Sequence, residues 1–159
     1  MAVSAWTFLS PRVAAAQEAV GADHAIVIEA GAAGEREIPR GPSNFGATLA
    51  LETTPIEEWL ELEFGVTALA TAGHTELSSD LVFKKPFRLS ATLEFMVGLG
   101  LARTLNGPGK GTSHGIEAVL DFMFWRSERH GWYLEPAWSR DSGSGDRSVS
   151  LEGGLLFGW

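Results

Sequence analysis

The segment ATLEFMVGLGLA, residues 91–102, alternates strictly between two kinds of side chain. Its odd-numbered positions are all apolar, and its even-numbered positions are small or polar apart from Met96. Alternation with a period of two residues is typical of a β-strand that has one apolar face and one polar or crowded face. The segment is therefore predicted to be a strand whose two faces meet different surroundings.

Similar alternation recurs along residues 24–159 and predicts eight strands in all. They are expected at about 24–33, 44–53, 58–71, 79–85, 87–102, 115–125, 132–139 and 149–159. Lys84-Lys85-Pro86 is expected to end the fourth strand, because proline cannot donate a hydrogen bond inside a sheet. Evenly spaced strands of this number predict an all-β fold, an eight-stranded antiparallel up-and-down barrel without open edges.

Composition excludes several classes of protein. The chain has 159 residues, of which 45% are hydrophobic, so we expect one folded domain. Its formal net charge of −8 argues against a nucleic-acid partner, which would require a basic surface. There is no cysteine, so neither a disulfide nor a thiolate site can form. We expect no metal and no cofactor, with the scattered histidines in solvated loops.

Alternation alone leaves open which face of the barrel looks inward. In a soluble barrel the apolar face lines the cavity, whereas in a transmembrane barrel it meets lipid. The polar face here is acidic with few basic residues, whereas a soluble surface usually mixes both signs of charge. Glycines lie between the acids and suit the narrow interior of an eight-stranded barrel. The acids are Glu29, Glu52, Glu61, Glu63, Glu94, Glu117, Asp121, Glu135 and Glu152.

Two further features favour the transmembrane arrangement. Short turns are predicted near residues 55, 86 and 129, and longer polar loops at 34–43, 72–78, 105–114 and 140–148, as in outer-membrane barrels. Aromatic residues with outward parity lie near the expected strand ends, where amphipathic rings favour the membrane interface. They are Phe45, Trp132, Trp138 and Trp159. Trp59 and Trp125 have inward parity.

These features of residues 24–159 resemble those of the small eight-stranded outer-membrane β-barrel proteins of Gram-negative bacteria. The most specific element is the ending Leu155-Leu156-Phe157-Gly158-Trp159, an alternating apolar strand that closes on an aromatic residue. In that family such an ending is similar to the signal read by the barrel-assembly machinery, although most members end in Phe. The resemblance implies a monomeric barrel in the bacterial outer membrane, in contact with outer-membrane lipid and lipopolysaccharide.

The first residues are expected to direct export. Ala2–Leu9 is mostly apolar, and Ala14-Ala15-Ala16 resembles the small-residue cleavage site of a secretory signal peptide. The pattern is incomplete because no Lys or Arg precedes the apolar part. We expect a signal peptide at 1–16, a periplasmic leader at 17–23 and the barrel at 24–159; a flexible Ala-rich tail is the alternative for 1–16.

The expected function is that of an integral outer-membrane barrel with a filled polar lumen and no large pore. Its role would be structural or interactive, through extracellular loops that present basic side chains to the outside or to lipopolysaccharide phosphates. Those side chains are Arg36, Arg40, His74, Lys110 and Arg140. The inward acids are expected to be hydrated or hydrogen-bonded, some of them paired with Lys84; a cation site or a proton path is the alternative.

Two other functions remain open at the level of the sequence. The first is a soluble lipocalin-like barrel that binds an apolar ligand in its cavity. The second is an outer-membrane lipid A-modifying enzyme, since Ser113, His114 and Glu117 lie at the outer end of the sixth strand. Their order does not match the His-x-Ser motif of that family, so enzymatic activity is not the expectation.

Overall fold

Eight long strands make up almost the whole of the described chain. The computed structural model describes residues 24–105 and 111–159. The strands are β1 (Ile26–Ile38), β2 (Ser43–Ile56), β3 (Leu60–Thr71), β4 (His74–Arg88), β5 (Leu93–Leu105), β6 (Thr112–Trp125), β7 (His130–Asp141) and β8 (Arg147–Gly158). Within the described ranges, no helix has the length and apolar character needed to cross a membrane. The predicted signal peptide and leader, residues 1–23, lie outside the described residues.

The strands close into a barrel. Each strand pairs antiparallel with the next, and β8 pairs back with β1 over a register that runs from Val27↔Gly158 to Ile38↔Arg147. The predicted fold class, an all-β eight-stranded antiparallel up-and-down barrel, is confirmed. The turns 57–59, 89–92 and 126–129 form one end, called here the turn rim. The connections 39–42, 72–73 and 142–146 lie at the other end, the loop rim, where β5 ends and β6 begins.

The two faces of each strand differ in the way that alternation predicts. In β5 the side chains of Val97, Leu99 and Leu101 are exposed on the outside of the barrel. Between them, Gly98 and Gly100 face the interior and are buried. The apolar face of this strand is therefore the outer one, and the small or polar face lines the lumen.

An apolar plug fills the lumen near the turn rim. It is a cluster of buried side chains, Val27, Met96, Met123, Trp125, Tyr133 and Leu156. The register places Val27 opposite Gly158 and Trp125 opposite Gly131, close to the ends of their strands. The interior is thus occupied by side chains where it meets the turn rim.

The fourth strand is longer than predicted. It begins at His74, so the predicted loop at 72–78 is wrong and the connection is a two-residue turn in which Gly73 has a φ of 100°. Pro86, which was expected to end this strand, lies inside it opposite Met96 with its ring in the lumen. Most residues at the start of β4 are polar on both faces, so hydrophobic alternation gives no signal there.

The predicted contrast between short turns and long loops is also wrong. Connections at the turn rim have three or four residues, and the described connections at the loop rim have two to five. The strands extend into segments such as 34–38 and 140–141 that were assigned to loops. Loop length therefore does not distinguish a transmembrane barrel from a soluble one. That distinction rests on the composition of the inner and outer faces.

Glycines allow β1 and β8 to approach closely within the crowded lumen. A Cβ atom on Gly154 would lie 2.8 Å from the carbonyl carbon of Ala30, and one on Gly31 would lie 2.8 Å from the Tyr133 hydroxyl oxygen. Both distances are shorter than van der Waals contact, so only a residue without a side chain fits at these positions.

Replacing Gly154 by Val is expected to destabilise the barrel by about 1–3 kcal/mol, because overpacking at the β1–β8 pair forces the strands apart. Urea unfolding of the refolded protein in detergent micelles, followed by heat-dependent gel mobility, measures the loss. Gly143→Ala is the control, since a Cβ atom there meets nothing closer than 3.4 Å. Equal midpoints for Gly154→Val and wild type would contradict the close approach.

Candidate functional site

The outer surface of the barrel is apolar on every strand. One exposed large side chain from each strand in turn is Ile26, Leu49, Phe64, Phe83, Leu99, Leu120, Leu134 and Leu155. From Val149 to Trp159 the extended chain advances about 33 Å, which at a tilt of about 40° covers roughly 25 Å along the barrel axis. An apolar surface this extensive is unfavourable in water and matches the lipid-facing band of a transmembrane barrel. We call it the apolar band.

Aromatic side chains lie at both borders of the apolar band. All four predicted interface residues, Phe45, Trp132, Trp138 and Trp159, are exposed on the outside. Toward the turn rim, Trp132 stacks on Phe124 with ring centroids 3.8 Å apart. In transmembrane barrels, aromatic residues are enriched at such borders of the lipid-facing band.

The two tryptophans with predicted inward parity behave differently from each other. Trp125 is buried in the apolar plug, as its parity implies. Trp59 is 60% exposed and lies in the turn 57–59, so its predicted inward position is wrong. Glu58, with a φ of 58°, interrupts the extended backbone before β3 begins at Leu60, and alternation does not continue through such a residue.

Lys84 lies at the centre of the lumen. Its ammonium group is fully buried and lies 2.8 Å from Asp121 on β6 and 2.7 Å from Glu135 on β7. It also contacts Glu63 on β3 and lies 3.4 Å from Glu52 on β2. One cation on β4 therefore joins carboxylates from four other strands. We call these five residues the lysine cluster.

Space for the Lys84 side chain comes from β5. Gly98 is its register partner, and a Cβ atom on Gly98 would lie 3.0 Å from Lys84 Cγ. The Lys84 stem can cross the lumen over this position because no side chain stands there. Gly98, on the inward face of β5, thus has a direct packing role.

The lysine cluster contains four carboxyl groups and one ammonium group. Glu29 and Glu61 are buried near it as well, and Glu29 Oε1 and Asp121 Oδ1 have no hydrogen-bond partner within the described chain. Glu29, Glu52, Glu63 and Asp121 each offer an oxygen within 4.8 Å of the others, an arrangement of hard oxygen ligands. The Lys84 ammonium already contacts three of these four carboxylates, so this group holds an internal cation.

The remaining predicted acids lie above and below the lysine cluster. Glu117 and Glu152 are half-buried toward the loop rim, where Thr67 donates a hydrogen bond of 3.1 Å to Glu152. Glu94 is half-buried toward the turn rim and is the register partner of Arg88. The nine acids predicted to face the lumen thus form a column along it, six of them buried and three half-buried.

Sequence reasoning missed one member of this column, Asp80. Its carboxylate lies in the lumen over Gly65. A Cβ atom on Gly65 would lie 2.6–3.0 Å from the carboxylate atoms of Asp80. The outward parity of Leu81 and Phe83 implies an inward Asp80, but the alternation in this strand is too weak to single out Asp80 from the sequence. Asp80 and Lys84 lie on the same inward face of β4.

The lumen opens toward the loop rim as a polar cup of about 770 Å³. Its wall carries acidic and hydroxyl side chains, including Glu35, Glu76, Ser113, Ser139 and Asp141. His74 Nε2 lies 3.3 Å from Glu76 Oε1 at its edge. The cup ends on the acidic column, whereas the other end of the lumen is closed by the apolar plug.

The residues of the proposed enzyme site do not come together. Successive residues of a strand face opposite sides, and β6 places His114 on the outer face with Arg103 as its register partner. Ser113 and Glu117 lie on the inner face. Three side chains on two sides of a sheet cannot form a nucleophile–base–acid constellation, so the geometry does not support the lipid A-modifying activity.

Most of the five basic residues expected in loops lie in strands instead. Arg40 lies in the connection 39–42, and Lys110 lies outside the described residues. Arg36, His74 and Arg140 belong to β1, β4 and β7 instead.

Two crystal structures of bacterial proteins are similar to this chain. Neisserial surface protein A covers 85% of this chain and 97% of its own, at a TM-score of 0.68 and 15% identity. The N-terminal β-barrel domain of Pseudomonas aeruginosa OprF covers 82% of this chain and 97% of its own, at a TM-score of 0.55 and 15% identity. No protein-family model matches the sequence, and no match is found among curated proteins.

Both similar structures are eight-stranded outer-membrane barrels, and at this identity the similarity establishes the fold. The predicted resemblance to small eight-stranded outer-membrane barrels is therefore confirmed.

Replacing Lys84 by Met is expected to destabilise the barrel by about 3–5 kcal/mol, because buried carboxylates lose their counter-charge. Lys85→Met is the matched control: Lys85 lies 5.5 Å from the exposed Phe87 ring, and its loss should cost less than about 1 kcal/mol. Urea unfolding in lipid vesicles compares the two variants.

The double variant K84M/D121N tests whether the loss of stability in Lys84→Met comes from the unpaired carboxylates rather than from the changed packing. Removing one carboxylate together with the lysine should recover part of the lost stability, because the two changes act on one cluster and are not additive. Wild-type stability for Lys84→Met, or a double variant less stable than Lys84→Met, would contradict the ion-pair role of Lys84.

Proposed function

We propose that this protein is an integral β-barrel of a bacterial outer membrane with a filled lumen, and that it acts through the surface at its loop rim. The observation that carries the proposal is the inversion of the two faces. Large apolar side chains surround the barrel, and ionisable side chains fill its centre. A bilayer is the solvent that stabilises this arrangement, because a closed barrel satisfies its backbone internally and presents hydrocarbon to lipid.

The same inversion argues against the soluble lipocalin-like alternative. Such a barrel would hold an apolar ligand in an apolar cavity and present charge to water. Here Leu99 is 69% exposed, whereas Glu29 is 2% exposed and Asp121 is fully buried. The interior offers an apolar ligand no apolar cavity, since its apolar part is the solid plug near the turn rim.

The filled lumen also argues against a pore. An interior of eight strands has little more room than its own side chains require, and here the apolar plug and the lysine cluster lie one above the other. The proposal therefore assigns the protein a structural or interaction role, carried by the polar surface of the loop rim. By the family resemblance, the turn rim faces the periplasm and the loop rim faces the outside.

A charged substitution on the outer face distinguishes lipid from water. Leu99→Arg, near the middle of β5, should destabilise the vesicle-inserted barrel by about 2–4 kcal/mol, because a guanidinium would lie in hydrocarbon. In a soluble barrel the same exposed position would accept arginine at almost no cost. Leu89→Arg is the matched control, since Leu89 is also exposed but lies in the turn 89–92, beyond the apolar band.

Stability is measured by urea unfolding from vesicles, with flotation of the vesicles showing insertion. A selective loss for Leu99→Arg supports the proposal. Failure of the wild-type protein to float with vesicles, or equal stability of the two arginine variants, would contradict it.

A further inference from the structure

A groove interrupts the apolar band over β1 and β8. Ala32 and Gly153 are register partners there, and the Ala32 methyl group and the bare Gly153 backbone form a shallow floor. Larger side chains border it, among them Phe45, Leu134 and Leu151. The groove has a volume of about 460 Å³ and an almost entirely apolar wall. It is the shape that a hydrocarbon chain lying along the barrel would fill.

Phe45, at the border of the groove, lies close to Gly34. Gly34 is the register partner of Phe45, and a Cβ atom on Gly34 would lie 3.3 Å from the Phe45 ring. The ring can therefore lie over the glycine rather than stand away from the sheet. The Phe45 ring thus forms an aromatic wall at the end of the groove nearer the loop rim.

Three arginines lie at that end of the groove. Arg36 of β1 lines it directly. Arg147 of β8 and Arg140 of β7 are register partners, and Arg36 pairs with Val149, two residues from Arg147. Diagonal neighbours in a sheet are about 7–8 Å apart, within reach of long side chains. All three arginines are exposed, and they share the outward face with the apolar band. We call them the arginine cluster.

Arg140 and Arg147 also line the edge of the polar cup near acidic side chains, but the arginine cluster lacks a close ion pair within the described residues. Across the described ranges, none of its three members forms an ion pair with a carboxylate, whereas Lys84 and His74 do. Like charges placed directly opposite each other in a sheet are destabilising. Arg140 and Arg147 are such a pair, so the arrangement favours an anion that comes from outside the chain.

The position of the cluster identifies the chemistry of that anion. It lies at the loop-rim border of the apolar band, which is the level of lipid headgroups. Guanidinium groups bind phosphate through paired hydrogen bonds. A second copy of this chain is a poor occupant, because a two-fold interface would bring two arginine clusters face to face.

We propose that the groove and the arginine cluster bind one phosphorylated lipid of the outer leaflet. Its acyl chain lies in the groove between Phe45 and Leu134, and its phosphate lies on Arg36, Arg140 and Arg147. This assignment rests on the proposed function, since it requires the loop rim to face the outer leaflet. The barrel would then hold a specific lipid at one side of its wall.

Native mass spectrometry of the refolded barrel in uncharged detergent tests the proposal, with diphosphoryl lipid A as the probe. The variant R140Q/R147Q should bind the probe about tenfold more weakly or worse, the loss expected for charge-assisted hydrogen bonds. R126Q/R129Q makes the same change of charge at the turn rim and should bind like wild type. Wild-type protein should prefer the probe to the same lipid without its phosphates.

The acyl chain is tested separately from the phosphate. Ala32→Phe fills the groove and should weaken binding of the probe at least severalfold, whereas Leu99→Phe, on the opposite wall of the band, should not. Inorganic phosphate at millimolar concentration should not displace the probe. Displacement by phosphate, or equal binding by Ala32→Phe and Leu99→Phe, would overturn the groove as the lipid site.

Stability adds a readout that a purely structural role would not produce. Without lipid, R140Q/R147Q should be at least as stable as wild type, because a like-charge pair is removed; with lipid A it should lose most of the stabilisation that wild type gains. Equal loss of lipid binding in R126Q/R129Q and R140Q/R147Q would overturn the inference. In that outcome the wild-type barrel still floats with vesicles, so failure of the inference is distinct from failure of the proposed function.

Discussion

Closure of β8 onto β1 is the constraint on which the rest of the structure depends. A barrel with no open edge pairs its backbone groups within itself, and this is what allows a sheet to lie in hydrocarbon. Closure at eight strands also fixes a narrow interior. That interior accommodates Gly31, Gly98, Gly154 and the acidic side chains. The large apolar residues lie on the outside.

The lysine cluster follows from the same narrowness. Five strands send charged side chains to one level of the lumen, and the Lys84 ammonium lies among four carboxylates. A buried ion pair is weak evidence for stability but is strongly tied to geometry. Because side chains alternate between faces, a slip of β4 by one residue would move Lys84 into lipid and leave the carboxylates unpaired. We infer that the cluster specifies the register of the barrel.

Much of the fold was predictable because its two faces differ so sharply in composition. The alternation in β5, with Leu99 and Leu101 on one face and Gly98 and Gly100 on the other, predicts both the strand and its outward side. The prediction failed at the start of β4, where residues such as Ser78 and Ser79 give no hydrophobic contrast. It failed at Trp59 because the alternation was carried through a turn residue with positive φ.

The site was less predictable than the strands. Parity indicates that an acid faces inward, but the level at which it meets its neighbours depends on registers between strands, and alternation contains no such information. The meeting of Lys84 with Asp121 and Glu135 therefore required the structure. The same is true of the pairing of Arg140 with Arg147 across the β7–β8 connection, and of Ala32 with Gly153, which are distant in sequence but adjacent across the β1–β8 junction.

The most direct test of the inverted faces is spin labelling of neighbouring residues on β5. The sequence has no cysteine, so single cysteines at Leu101, which faces out, and Ala102, which faces the cup, can each carry one nitroxide. In vesicles we expect the label at Leu101 to collide with dissolved oxygen, which concentrates in hydrocarbon, and the label at Ala102 to collide with a water-soluble nickel chelate. A label at Leu101 that meets the chelate while the one at Ala102 is shielded from it would contradict the account.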